Sequence, residues 1–132
     1  MRAYILSQSG QTAVLTDHDS PQLTPGTARV RLHAAGWNRR DKWIQLGLYP
    51  EITLPVILGS DGCGVVVECQ KNPDWIGREV IICPSLSWGD NPTHQGPDFN
   101  ILGMPQNGTF AEEIVVPIEN LFNKPTHMTV EE

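Results

Sequence analysis

The sequence contains no apolar run long enough to cross a bilayer. Its longest, such as LPVIL and VIIC, fall far short of the roughly 20 residues a spanning helix needs. It also lacks any excess of positive charge. Nine Lys and Arg stand against 15 Asp and Glu, a formal net charge of −6. That balance offers no basic face for nucleic acid and no polybasic segment for anionic lipid. The opening MRAYILSQSG carries a charge but no sustained apolar region, which is not the pattern of a secretion signal. Cysteine is scarce, with only Cys63, Cys69 and Cys83. An odd count without C-x-x-C gives no disulfide framework, and the apolar settings of all three suit buried free thiols. None of the four histidines has a neighbour at metal-ligand spacing. Together these absences predict a cytoplasmic protein with neither nucleic-acid nor membrane partners.

What is present is a chain of 132 residues, 39% hydrophobic and 18% charged. That is ordinary for one globular domain with a real core. Eleven prolines and twelve glycines are scattered through it, which favours short strands joined by turns over long helices. MRAYILS and TAVLTDHD flank a Ser-Gly turn and read as a hairpin. In TPGTARVRLHAAGW, Val30, Leu32 and Ala34 alternate with Arg29, Arg31 and His33; the period of two predicts a half-buried strand with His33 facing solvent. DGCGVVVEC, REVIIC, GTFAEEIVV and NLFNKP read as further strands, and NPDW as a turn. Gly62 and Gly64 inside the first of these mark a bulge or a close backbone approach. From Pro84 to Asn107 no period is visible, and Trp88, Phe99, Ile101 and Leu102 predict an ordered loop there. Thr129 and Glu132 have the spacing of a capping box that announces a helix. No repeat and no low-complexity tract occurs. The fold expected is mainly β, a partly open barrel with one or two short helices.

The stretch AAGWNRRDKW breaks the strand pattern. Asn38 can cap a helix, and Asp41, three residues on, stands near the positive end of its dipole. Gly47 then ends a helix of only a turn or two. On the residues alone, Asn38 and Asp41 are either a helix cap or the lining of a site, and Tyr49 is either a packed aromatic or a hydroxyl donor.

AAGWNRRDKWIQLGLYP, LPVILGSDGCGVVVE, REV, NGTFAEEIVVP and NLFNKP follow one another across essentially the whole chain. In that order they resemble the medium-chain dehydrogenase/reductases, in particular the quinone oxidoreductase-like and zinc-type alcohol dehydrogenase-like members. The resemblance implies a GroES-like substrate domain over residues 1–132, with a Rossmann cofactor domain expected downstream of residue 132. No G-x-G-x-x-G follows a strand here. It further implies hydride transfer from NADPH to a quinone, an enone or a similar carbonyl compound. The cofactor would be bound mainly by the other domain, so these residues alone would be inactive. Family members that dimerise pair through that second domain, so a homodimer is expected of the whole protein only.

Zinc-dependent members carry a cysteine where this chain has Asn38 and Gly-His-Glu where it has Gly59, Ser60 and Asp61. An amide and a hydroxyl are poor zinc ligands, and the loop after Cys83 has no cysteines for a structural zinc, only His94 and Asp98. The resemblance therefore implies a zinc-free chain. In zinc-free relatives the positions of Asn38, Asp41 and Tyr49 line the substrate cleft: Asn38 as a donor to a carbonyl, Asp41 orienting it or fixing the helix turn, Tyr49 as a hydroxyl donor. Arg39 and Arg40 are expected on the surface, with Arg40 in reach of cofactor phosphate. Two other readings remain open at this point: an alcohol dehydrogenase with an atypical metal site, and a stand-alone GroES-like binding or co-chaperonin-like module.

Overall fold

The computed structural model describes residues 1–132. β1 (Arg2–Leu6) and β2 (Val14–Asp17) form the expected antiparallel hairpin, and β1 also pairs with the two-residue β4 (Val56–Ile57). The main sheet has five strands in the order β10 (Glu113–Pro117), β3 (Thr27–Gly36), β5 (Asp61–Cys69), β6 (Glu79–Ile82), β11 (Leu121–Asn123). All its pairings are antiparallel. A third sheet joins β7 (Ser85–Leu86), β8 (Asn100–Leu102) and β9 (Pro105–Gln106). None of the three closes on itself, so the barrel is partly open, as the alternation predicts. The one α-helix, α1 (Arg39–Gln45), lies between β3 and β4. No helix is long and apolar enough to cross a membrane.

The alternation in β3 sets the main core. Ala28 and Val30 are fully buried and meet Val66, Val80, Ile114 and Val116 from neighbouring strands. On the opposite face Arg29 bridges Glu68 at 3.1 Å and Glu113 at 3.5 Å, the cross-strand charge pairing an open sheet face favours. A smaller core of Leu6, Ile44, Val56, Leu58 and Met104 seats α1 against β4.

Two expectations change. The segment from Pro84 to Asn107 is ordered, but it contains β7, β8 and β9 rather than loop alone. Leu86, Leu102 and Met104 are buried there, and buried backbone needs hydrogen-bond partners that a small sheet supplies. The strand expected from GTFAEEIVV starts only at Glu113. Before it, Thr109 and Phe110 donate their N–H groups to Gly59 and Leu58, and Tyr4 N–H donates to Phe110. At the far end the Glu132 carboxylate accepts the Thr129 N–H at 2.8 Å, the N3-to-N-cap half of the capping box expected there.

Candidate functional site

The site is assembled where β3 gives way to α1. Asn38 has extended backbone and precedes the first helical residue. The Asp41 carboxylate reaches back to it, Oδ2 accepting the Asn38 N–H at 2.8 Å. Its other oxygen accepts the N–H of Gly59 at 3.0 Å. Asp41 is completely buried, so one carboxylate ties the start of α1 to the residues just before β5. Gly59 must be glycine: its φ is +93°, and a Cβ would lie 2.6 Å from both Thr109 and Phe110 side chains.

This tie places two side chains opposite each other. Asp61, the first residue of β5, turns Oδ2 to the Asn38 amide, which donates to it at 2.7 Å. Thr109 Oγ1 donates to the Asp61 main-chain carbonyl at 2.8 Å. Ser60 between them is buried and donates its hydroxyl to the Leu102 carbonyl at 2.9 Å. An amide nitrogen carries two hydrogens; Asp61 engages one.

Asn38 and Asp61 are thus at the accessible part of the site, while Asp41 is not. Of the two roles open for Asp41, the geometry gives fixing of the helix turn, since both oxygens are engaged by backbone and neither meets a cleft. Arg40 corrects the sequence reading. Instead of lying on the surface it is half-buried, donating to Tyr49 Oη at 3.3 Å, Leu102 O at 3.1 Å and Met104 O at 2.5 Å. Its guanidinium also sits 5.0 Å from the centre of the Tyr49 ring. Three of its five N–H groups are engaged inside the protein, so a cofactor phosphate would have to loosen this clasp. Tyr49 packs against the smaller core and its hydroxyl is Arg40's acceptor. Arg39 is exposed, as expected.

Sequence reasoning considered Asp61 only as a metal ligand and missed it as Asn38's partner, because 23 residues and a helix separate them. No local signal marks that pairing. The donor set at this corner is one amide, one hydroxyl already engaged and one carboxylate that accepts from that amide. No three His, Cys, Asp or Glu side chains anywhere in the chain stand close enough to hold a metal ion. These residues do not fit a zinc ion.

A groove of about 610 Å³ begins beside the site at Trp37 and Thr109 and runs toward the β1–β2 hairpin. Asn38, Asp41 and Tyr49 are not in its walls. Away from the site, burial pushes the Cys63 thiol up, and Glu79 and Glu131 add to this against Lys124. All three cysteines are free, with Cys63 and Cys69 buried.

Residues 24–126 match the alcohol dehydrogenase GroES-like domain family. A zinc-type alcohol dehydrogenase-like protein of Schizosaccharomyces pombe is 31% identical over 120 residues, covering 88% of this chain and 35% of that protein. A crystal structure of an NAD-dependent alcohol dehydrogenase superposes with a TM-score of 0.84 at 35% identity, over 100% of this chain and 42% of the other. A zinc-binding dehydrogenase of Sinorhizobium meliloti 1021, solved bound to NADP, gives 0.83 at 26% identity over 98% and 40%. The chain therefore spans about a third to two-fifths of the length of these relatives. By sequence match and by fold, it belongs to the alcohol dehydrogenase GroES-like domain family of the medium-chain dehydrogenase/reductases.

Proposed function

We propose that these residues are the substrate side of an NAD(P)H-dependent oxidoreductase that passes hydride to a quinone, an enone or a related small carbonyl compound without zinc. The observation that carries the reading is the 2.7 Å bond from the Asn38 amide to Asp61. By the resemblance, it joins the position where zinc-dependent relatives carry a cysteine to that of the glutamate in their Gly-His-Glu, with Ser60 in place of the histidine. A carboxylate held by the amide's first hydrogen fixes the direction of the second, and a fixed donor stabilises negative charge developing on a carbonyl oxygen better than a mobile one. Asp41 holds both partners in register through backbone. The cofactor, when bound, supplies the hydride; NADPH is the expected form, and the absence of G-x-G-x-x-G supports a binding site mainly outside these residues. Asn38 then orients the acceptor and Asp61 orients Asn38.

The experiment uses the whole protein. After exhaustive chelation it should still oxidise NADPH with a quinone or enone acceptor. Turnover that disappears with chelation and returns with zinc would instead favour the atypical alcohol dehydrogenase.

A further inference from the structure

Arg40 is a cation drawn into the protein without an anion to meet it. It forms no ion pair, and hydride transfer as read above gives it no task. Taking a guanidinium out of water is costly; here three neutral acceptors and one aromatic face offset the cost. Nη1 donates to Leu102 O at 3.1 Å and Nη2 to Met104 O at 2.5 Å, while Nε reaches Tyr49 Oη at 3.3 Å. The fork therefore grips the chain on both sides of Gly103. A planar guanidinium has the shape for that, and an ammonium does not.

Where that grip lands is the second observation. Gly103 lies so close to Gly59 that a Cβ on it would stand 2.8 Å from the Gly59 carbonyl oxygen. Leu102 O, the acceptor of Arg40 Nη1, also accepts the Ser60 hydroxyl at 2.9 Å. A carbonyl oxygen has two lone pairs, so one atom serves both side chains. Residues 59 and 60 are thus held through the 102–104 turn, and Asp61, the acceptor of the Asn38 amide, follows directly. The Asp41 carboxylate holds the same stretch at the Gly59 N–H. Adjacent residues of opposite charge in the first turn of α1 secure one piece of backbone twice.

From this connectivity we infer that Arg40 is a positioning residue of the site. Through the 102–104 turn and Ser60 it sets the direction of the Asp61 carboxylate, and so that of the Asn38 amide. It donates to neither member of that pair. The inference rests on the hydride-transfer reading only for its effect on turnover. The geometry of the pair is read without cofactor or substrate, so either can fail without the other.

The test is NMR on this chain, following the side-chain amide protons of Asn38. Asp61→Ala supplies the reference position of an Asn38 amide with no carboxylate to meet. Arg40→Lys keeps the charge and loses the fork, and it should move the Asn38 resonances toward that reference. Ser60→Ala should move them the same way, and the double variant little further, since both act through Leu102 O. A mere support of the fold would lower the thermal midpoint and leave the Asn38 resonances of the folded chain in place; that result would overturn the role. Should the lysine variant not fold, Ser60→Ala decides alone, and unmoved Asn38 resonances there overturn the role too. In the whole protein, Arg40→Lys should lower kcat about tenfold with KM within about twofold of its starting value. It should lower kcat no further in an Asn38→Ala background, and an equal loss there would also overturn the role. Absence of turnover with any quinone or enone would count against the hydride-transfer reading, and the Asn38 resonances would still decide the role of Arg40.

Discussion

At the scale of single residues, the buried carboxylate of Asp41 and the amide of Asn38 separate support from chemistry. Asp41→Asn keeps the size but leaves one oxygen for two backbone donors, and its new NH2 opposes the other N–H. Losing a charged acceptor inside the protein should cost about 1.5–3 kcal/mol, read as a lower urea midpoint with unchanged slope. Asn38→Ala should divide differently. If its amide meets the substrate in the transition state, whole-enzyme turnover falls by the equivalent of about 2–4 kcal/mol. A cap alone would cost roughly 1 kcal/mol of stability with turnover nearly intact. Asn38→Ser caps well but lacks the amide's reach; normal stability with normal turnover in that variant would end the active-site assignment. Glu112 offers a check on electrostatics. The Arg2 backbone N–H, its guanidinium bond and its charge hold the Glu112 carboxyl below the usual range. A depressed folded value contributes stability above the unfolded value, and that contribution disappears as pH falls through the folded one. An NMR titration should place Glu112 below an ordinary glutamate. Arg2→Gln should raise it only part way, since the backbone bond, the larger cause, remains.

At the scale of elements, the contact between β3 and β5 depends on missing side chains. A Cβ on Gly64 would stand 2.1 Å from the Arg31 carbonyl oxygen, and backbone in a central strand cannot move aside cheaply. The register shift between Leu32 and Ala34 lies at the same place, so the bulge and the close approach expected from Gly62 and Gly64 occur together. Gly77 is the control: its φ is +85° but nothing lies near it. Gly77→Ala should cost about 1–2 kcal/mol for the left-handed backbone alone, and Gly64→Ala clearly more, by thermal or urea unfolding. Equal losses would mean that the strands can shift to admit a methyl group. Helix α1 shows the same dependence on context. Trp43 and Leu46, apolar by sequence, are about half exposed, while Asp41 and Gln45 are buried with Ile44. The helix turns its polar groups inward because backbone donors from other segments await them at Gly59 and Ala13.

At the scale of the whole molecule, the chain holds a substrate-side fold without the glycine-rich helix start that grips a dinucleotide's pyrophosphate. Titrated alone, it should fold and show no micromolar affinity for NADPH by calorimetry. Micromolar binding would mean that these residues hold the cofactor themselves, and the division of labour proposed above would be wrong.

The sequence by itself determined the class of fold and the strands of the hairpin and the main sheet, though not the short strands β7, β8 and β9. Alternation in β3 and β5, the prolines and glycines between strands and the motif order are local or linear signals, and burial of one sheet face enforces them. It also placed Asn38 at a helix start, because capping is decided within four residues. Only the tertiary structure decided what these side chains touch. Asp61 meets Asn38 across 23 residues, Arg40 turns inward to carbonyls more than 60 residues away, and Gln45 is drawn beneath the hairpin by Ala13. Each is a hydrogen bond between groups distant in sequence. Its energy depends on where the backbone of another segment leaves a donor or acceptor unpaired, and no local pattern encodes that.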